Sequence, residues 1–226
     1  MKFKNGMKFL FIGNSATYVH EIPQTFQRLA KKCGFEFEVV QITPGGCELA
    51  RHADMSTEHG QRVFSEIAKG YDVVFIQENG SCISNDAKRS ACFDACKRLI
   101  AAIRESGAEP FIYVRPPCFN DYYGYPTLEQ CLRFDEIFNA IAEENGGVEC
   151  VYVNRAFAYA AKNLNYDLWG DDRMHTSLFG AHLIVCTFFA KLFGISATQI
   201  GSDPIDSVDA RALAEVADKV VFEGQM

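Results

Sequence analysis

The chain has 226 residues, 48% of them hydrophobic and 23% charged, which suits one soluble domain (residues 1–226) with a full hydrophobic core. Its formal net charge of -7 argues against nucleic acid or an anionic membrane as the main partner, because both select basic patches. The 9 cysteines are odd in number and show no redox or zinc-ribbon C-x-x-C spacing, so free thiols in a reducing, cytoplasmic compartment are expected.

Lysines interrupt the apolar residues at Met1 to Lys8, which argues against a signal peptide. No stretch is long and apolar enough to span a bilayer. The first buried strand is read at Phe9–Ile12, stopped by Gly13. A helix follows over Ile22–Cys33, with Pro23 near its start and Gly34 beyond its end. Phe35–Ile42 reads as a second strand, Glu58–Ala68 as a helix and Val73–Ile76 as a third strand. Asn85–Glu105 is a longer helix with Cys92, Cys96, Leu99, Ile100 and Ile103 on one face. Phe111–Val114 is a fourth strand, ended by Arg115-Pro116-Pro117. A helix over Leu128–Glu144, a fifth strand over Val148–Val153 and helices over Leu178–Phe193 and Val208–Val221 complete the pattern.

Strands that alternate with helices predict a parallel sheet covered on both faces. With five strands and right-handed crossovers, the expectation is a flavodoxin-like, three-layer α/β/α sandwich. Ligands bind such sheets outside the carboxyl ends of the strands. The residues that follow each strand are therefore the first candidates for chemistry.

Gly13-Asn14-Ser15 follows the first strand and puts a hydroxyl near a helix start, where a backbone N–H can meet an oxyanion. Pro44-Gly45-Gly46-Cys47 follows the second, and its paired glycines let backbone N–H groups approach a ligand. Gln77-Glu78-Asn79-Gly80-Ser81 follows the third and offers amide donors. The last loop, Trp169 to Ser177, holds Asp171, Asp172 and His175 just ahead of an apolar helix. A carboxylate on one imidazole nitrogen leaves the other free to take a proton, and a serine hydroxyl needs such a base to become a nucleophile.

Together these four segments resemble the sequence blocks of the SGNH, or GDSL, hydrolases, over nearly the whole chain from Ile12 to about Phe193. The resemblance implies Ser15 as nucleophile, His175 as base and Asp172 as the acid of a triad. It also implies an oxyanion hole from the Ser15 and Gly46 N–H groups and the Asn79 amide. Alternatives stay open at three places: Gly45 for Gly46, Ser81 for Asn79 and Asp171 for Asp172. Asn14 stands where many members carry Asp, Ala16 where many carry Leu, and the usual Gly-x-Asn-Asp of the third block is absent.

The implied activity is cleavage of a carboxylic ester, with a small acyl group such as acetate on a carbohydrate-like alcohol. The chemistry calls for no metal or organic cofactor, and the only partner expected is the small-molecule ester. Asn14 and Arg115 are read as substrate contacts, and Tyr122, Tyr123 and Tyr125 as an aromatic wall. The competing class is a non-catalytic module that holds a sugar or phosphate in the backbone of Gly13, Asn14 and Gly45. A metal-dependent hydrolase built on Asp171, Asp172 and His175 is a third. His52 and His59 line a pocket on one reading and simply pack on the other; His182, on the apolar helix, reads as a core or surface residue.

Overall fold

The computed structural model describes residues 3–117 and 128–225. Five strands, β1 (Met7–Ile12), β2 (Phe37–Ile42), β3 (Val73–Ile76), β4 (Glu109–Val114) and β5 (Glu149–Tyr152), form one parallel sheet in the order β2-β1-β3-β4-β5. This is the doubly wound, flavodoxin-like arrangement expected from the alternating pattern.

Successive side chains on a strand point to opposite faces, and each face here has its own core. Phe9, Phe11, Phe75, Phe111 and Tyr113 face one side; Leu10, Ile12, Ile76, Ile112 and Val114 face the other. On the first face the rings of Phe11 and Phe75, direct partners across β1 and β3, stack at 4.5 Å. Phe9 stacks on Phe37 at 4.4 Å. Offset ring pairs of this kind contribute roughly 0.5–1.5 kcal/mol each beyond simple burial.

The aromatic face is covered by α2 (Ile22–Lys32), α7 (Val153–Asn163), α8 (Leu178–Phe193) and α9 (Ser207–Glu223). The aliphatic face is covered by α3 (Leu49–His52), α4 (Glu58–Ile67), α5 (Asp86–Glu105) and α6 (Leu128–Glu144). A short helix α1 (Ser15–Tyr18) opens directly after β1. Helix α8 is apolar around its whole circumference because it is buried on all sides, with Leu183 through Ala190 inside the core.

Most element bounds agree with the sequence reading to within two residues. The sequence reading sets no bounds for helix α7, although Val153, Ala156, Phe157 and Ala160 bury one face at helical spacing. β1 and β4 begin two residues earlier than read, at Met7-Lys8 and Glu109-Pro110. All four pair in the sheet, but Lys8 and Glu109 are charged and Pro110 lacks an N–H, so apolar runs alone do not reveal these ends.

Among the described residues the cysteines are all free thiols, and no helix is long and apolar enough to cross a membrane. Cys118, Tyr122, Tyr123 and Tyr125 lie outside the described residues.

Candidate active site

The four candidate segments emerge at the carboxyl edge of the sheet, each from a different strand end or loop. Asn14 is the N-cap of α1, its Oδ1 accepting the Ala16 N–H at 3.0 Å. Ser15 is thus the first helical residue, and its N–H is one of those a helix leaves without an internal acceptor. The N-terminal end of a helix also favours negative charge. The Ser15 side chain is partly exposed and makes no hydrogen bond within the described residues.

Gln77 fixes the turn. Its Oε1 accepts the Asn14 N–H at 3.1 Å and the Thr17 hydroxyl at 2.9 Å, while its backbone N–H donates to Ile12 at 2.9 Å. Its own amide nitrogen donates to the Glu78 carbonyl. A Cβ on Gly13 would meet Gln77 Oε1 at 2.6 Å and Thr17 Oγ1 at 2.8 Å, so only glycine fits there. Gln77 is therefore a brace for the serine turn, with its amide facing inward and buried.

The second loop is tied to the first. Asn14 Nδ2 donates to the Cys47 carbonyl at 2.9 Å. Gly46 has φ +65, a conformation that glycine reaches without strain. The Asn79 Nδ2 donates to the Gly46 carbonyl at 3.3 Å, and Asn79 Oδ1 accepts the Ser81 N–H at 2.8 Å. Ser81 Oγ instead donates to the buried Glu78 carboxylate at 3.2 Å. Of the two third-block alternatives, Asn79 is the one whose amide lies against the Gly46 loop.

Glu78 also accepts the Leu49 N–H at 2.8 Å. Burial raises its carboxyl above the usual range, and these hydrogen bonds pull the other way. Asn14 and Arg115, read as substrate contacts, have structural duties here. Asn14 is buried and joins two loops. The buried Arg115 donates from Nη1 to the Asn79 carbonyl at 2.8 Å and from Nε to the Pro116 carbonyl at 2.9 Å.

The imidazole loop is a tight hairpin. Trp169 and Thr176 bridge, Gly170 N–H donates to the His175 carbonyl at 2.8 Å, and Ser177 N–H donates to Leu168 at 3.0 Å. The buried Trp169 indole packs edge-on against Phe157 and donates to the Pro117 carbonyl at 3.2 Å. Gly180 lets the hairpin lie on α8: a Cβ there would meet the Leu168 carbonyl at 2.2 Å.

Within this hairpin Asp172 Oδ2 meets His175 Nδ1 at 2.5 Å. Its other oxygen accepts the Met174 and His175 N–H groups, both at 2.9 Å. The bond to the imidazole, aided by these N–H donors, holds the Asp172 carboxyl down at about 2. The carboxylate beside the ring is that of Asp172; Asp171 is exposed on the turn. The pairing fixes Nδ1 toward the acid and leaves Nε2 for other work.

His20 binds this loop to the serine segment, which the sequence did not reveal. Its Nε2 donates to the Thr176 carbonyl, next to His175, at 2.8 Å. His20 and Glu21 have φ 56 and 52, left-handed values that a non-glycine residue adopts only when its surroundings hold it there. No hydrogen bond yet joins Ser15 Oγ to the His175 ring among the described residues; in unliganded sites such bonds are often long and tighten when substrate arrives.

Beneath the second loop, Cys47, His52 and His59 come together, with one ligand atom of each within 4.8 Å of the others. His52 and His59 thus pack on each other and on Cys47 under the serine turn. Nothing in their sequence spacing of five and seven residues announces the cluster. His182 is buried on α8 with neither ring nitrogen hydrogen-bonded among the described residues, and burial lowers it to about 4.

No family model matches the chain, and no curated protein matches it by sequence. Solved structures do. A DUF4886 family protein from Bacteroides uniformis superposes with a TM-score of 0.79 at 16% identity, covering 98% of this chain and 97% of that one. A proposed SGNH hydrolase from Slackia heliotrinireducens gives 0.66 at 24% identity, over 80% of this chain and 96% of that one. The fold is that of the SGNH hydrolases. An acetylxylan esterase from Geobacillus stearothermophilus shares this SGNH-type fold, with a TM-score of 0.60 at 19% identity over 92% of this chain and all of that one.

Proposed function

We propose that the chain is a serine hydrolase of the SGNH type that cleaves carboxylic esters, removing small acyl groups such as acetate from a carbohydrate-like alcohol. The observation that carries this reading is the 2.5 Å contact between Asp172 and His175, on a hairpin tied by His20 to the serine segment. The likeness to an acetylxylan esterase supports the substrate class.

In this mechanism Ser15 Oγ attacks the ester carbonyl as His175 Nε2 takes its proton. Asp172 holds the imidazole in the required tautomer and stabilises its charged form. The N–H groups of Ser15 and Gly46 and the amide of Asn79 receive the developing oxyanion. The imidazolium then gives its proton to the departing alcohol. Water, deprotonated by the same base, cleaves the acyl-enzyme and returns Ser15.

The test is turnover of p-nitrophenyl acetate and a longer-chain ester by the wild type, Ser15→Ala and His175→Ala. Loss of nearly all turnover in both variants, with acetate favoured over the longer chain, supports the reading. A wild type that is inert to both esters and unlabelled by a fluorophosphonate overturns it in favour of a sugar- or phosphate-binding module.

A further inference from the structure

We infer that Cys47, His52 and His59 form a zinc-binding site under the loops that carry Ser15 and Gly46. The three side chains offer one thiol sulfur and two imidazole nitrogens, a donor set that suits zinc. His59 Nε2 lies 3.1 Å from His52 Nδ1 and 4.0 Å from Cys47 Sγ. A tetrahedral zinc with ordinary bond lengths separates such atoms by about 3.3–3.6 Å. The third separation, from Cys47 Sγ to His52 Nδ1, lies within 4.8 Å, so the thiol turns inward by up to about an ångström to complete the site, with a fourth position left for water.

The His52 tautomer is already set for it. His52 Nε2 lies 2.8 Å from the Gly13 carbonyl, which only accepts, so that nitrogen carries the proton. His52 Nδ1 is then a lone pair facing the cluster. A metal-bound histidine whose other N–H donates to a backbone carbonyl is the usual way of fixing a ligand's orientation. Without metal, His59 Nε2–H must donate to that lone pair. On binding, His59 moves its proton to Nδ1 and Cys47 loses its thiol proton to solvent, so one proton leaves per zinc.

The nearby charges are mixed: Glu48 and Glu78 act on Cys47 as negative charges, whereas Arg51 acts on Cys47 and both histidines, and Arg62 on His59, as positive ones. His52 and Cys47 are buried, whereas His59 is only half-buried on α4 and gives the ion a way in. The bound ion would clamp both oxyanion loops from below. His52 holds the carbonyl of Gly13, and Cys47 is fixed through its carbonyl to Asn14 and through its N–H to Pro44.

The experiment uses the full chain, stripped with a chelator and titrated with cobalt(II) as a spectroscopic stand-in for zinc, then loaded with zinc and assayed for metal content. The expected result is one ion per chain, a sulfur-to-cobalt charge-transfer band and the intense visible bands of tetrahedral cobalt. Cys47→Ser should abolish the charge-transfer band. His59→Gln, on a half-buried helix position, should weaken binding at least tenfold while leaving the metal-free unfolding midpoint unchanged. A charge-transfer band that survives Cys47→Ser, binding that His59→Gln leaves intact, or no tetrahedral spectrum in the wild type would each overturn the assignment. None of these readouts depends on ester turnover.

Discussion

The Oε1 of Gln77 receives the backbone N–H of Asn14 at 3.1 Å, so the end of β3 holds the turn that presents Ser15 at the end of β1. The same oxygen lies only 2.6 Å from where a Cβ of residue 13 would be. Gly13→Ala should therefore push Gln77 and Thr17 apart and cost about 1–3 kcal/mol of stability, the usual range for overpacking. Urea denaturation reads the loss. Turnover should fall with it, because the Asn14 N–H loses its acceptor.

The two carboxylates of the imidazole hairpin should behave differently. Asp172→Asn keeps the shape but can hold the wrong tautomer, and kcat should drop by about 10⁴-fold. Asp171→Asn, on the exposed side of the turn, should leave kcat within about twofold, as surface changes usually do. Equal losses in the two variants would reassign the acid.

Asn79→Ala removes an amide donor at the Gly46 loop, and kcat should fall by about a hundred- to a thousandfold with KM little changed. Its side chain also accepts the Ser81 N–H, so the melting temperature must be followed alongside. A fall in stability with kcat intact would make Asn79 a loop fastener only.

His182 and, in the metal-free chain, His52 predict an acid limb in the stability curve. Burial lowers both to about 4 in the folded chain, whereas in the unfolded chain each takes a proton near the ordinary 6.5. Above pH 6.5 both are neutral in either state, and protonation takes nothing from stability. Below it the unfolded chain binds protons that the folded chain refuses, so stability falls between about pH 6.5 and 4, by up to about 3 kcal/mol per group. His182→Leu should shallow this limb, and should stabilise the protein even at pH 7 by removing two unbonded buried nitrogens. Unfolding midpoints measured across this range provide the check.

The fold was legible because strand runs such as Val73–Ile76 and helix periodicities such as Leu178–Phe193 are set locally by burial. Helix α7 escaped bounds because small alanines carry much of its buried face. Ser15 was legible as a turn residue after a strand, and His175 as part of the last loop ahead of an apolar helix. The choice of Asp172 over Asp171 was not, since it depends on a hairpin that folds Oδ1 onto two N–H groups. Gln77, His20 and the cluster of Cys47, His52 and His59 act through contacts between distant segments, and no local pattern encodes those.

Helix α8 is buried on every side, and the hairpin that holds His175 rests on its first turn through Gly180. The hydroxyl is carried by the first strand, whereas the imidazole is held in place only when this helix is seated against α2 and α9. A chromogenic ester added during refolding would accordingly stay silent while the sheet assembles and begin to turn yellow only once the chain's last layer has closed.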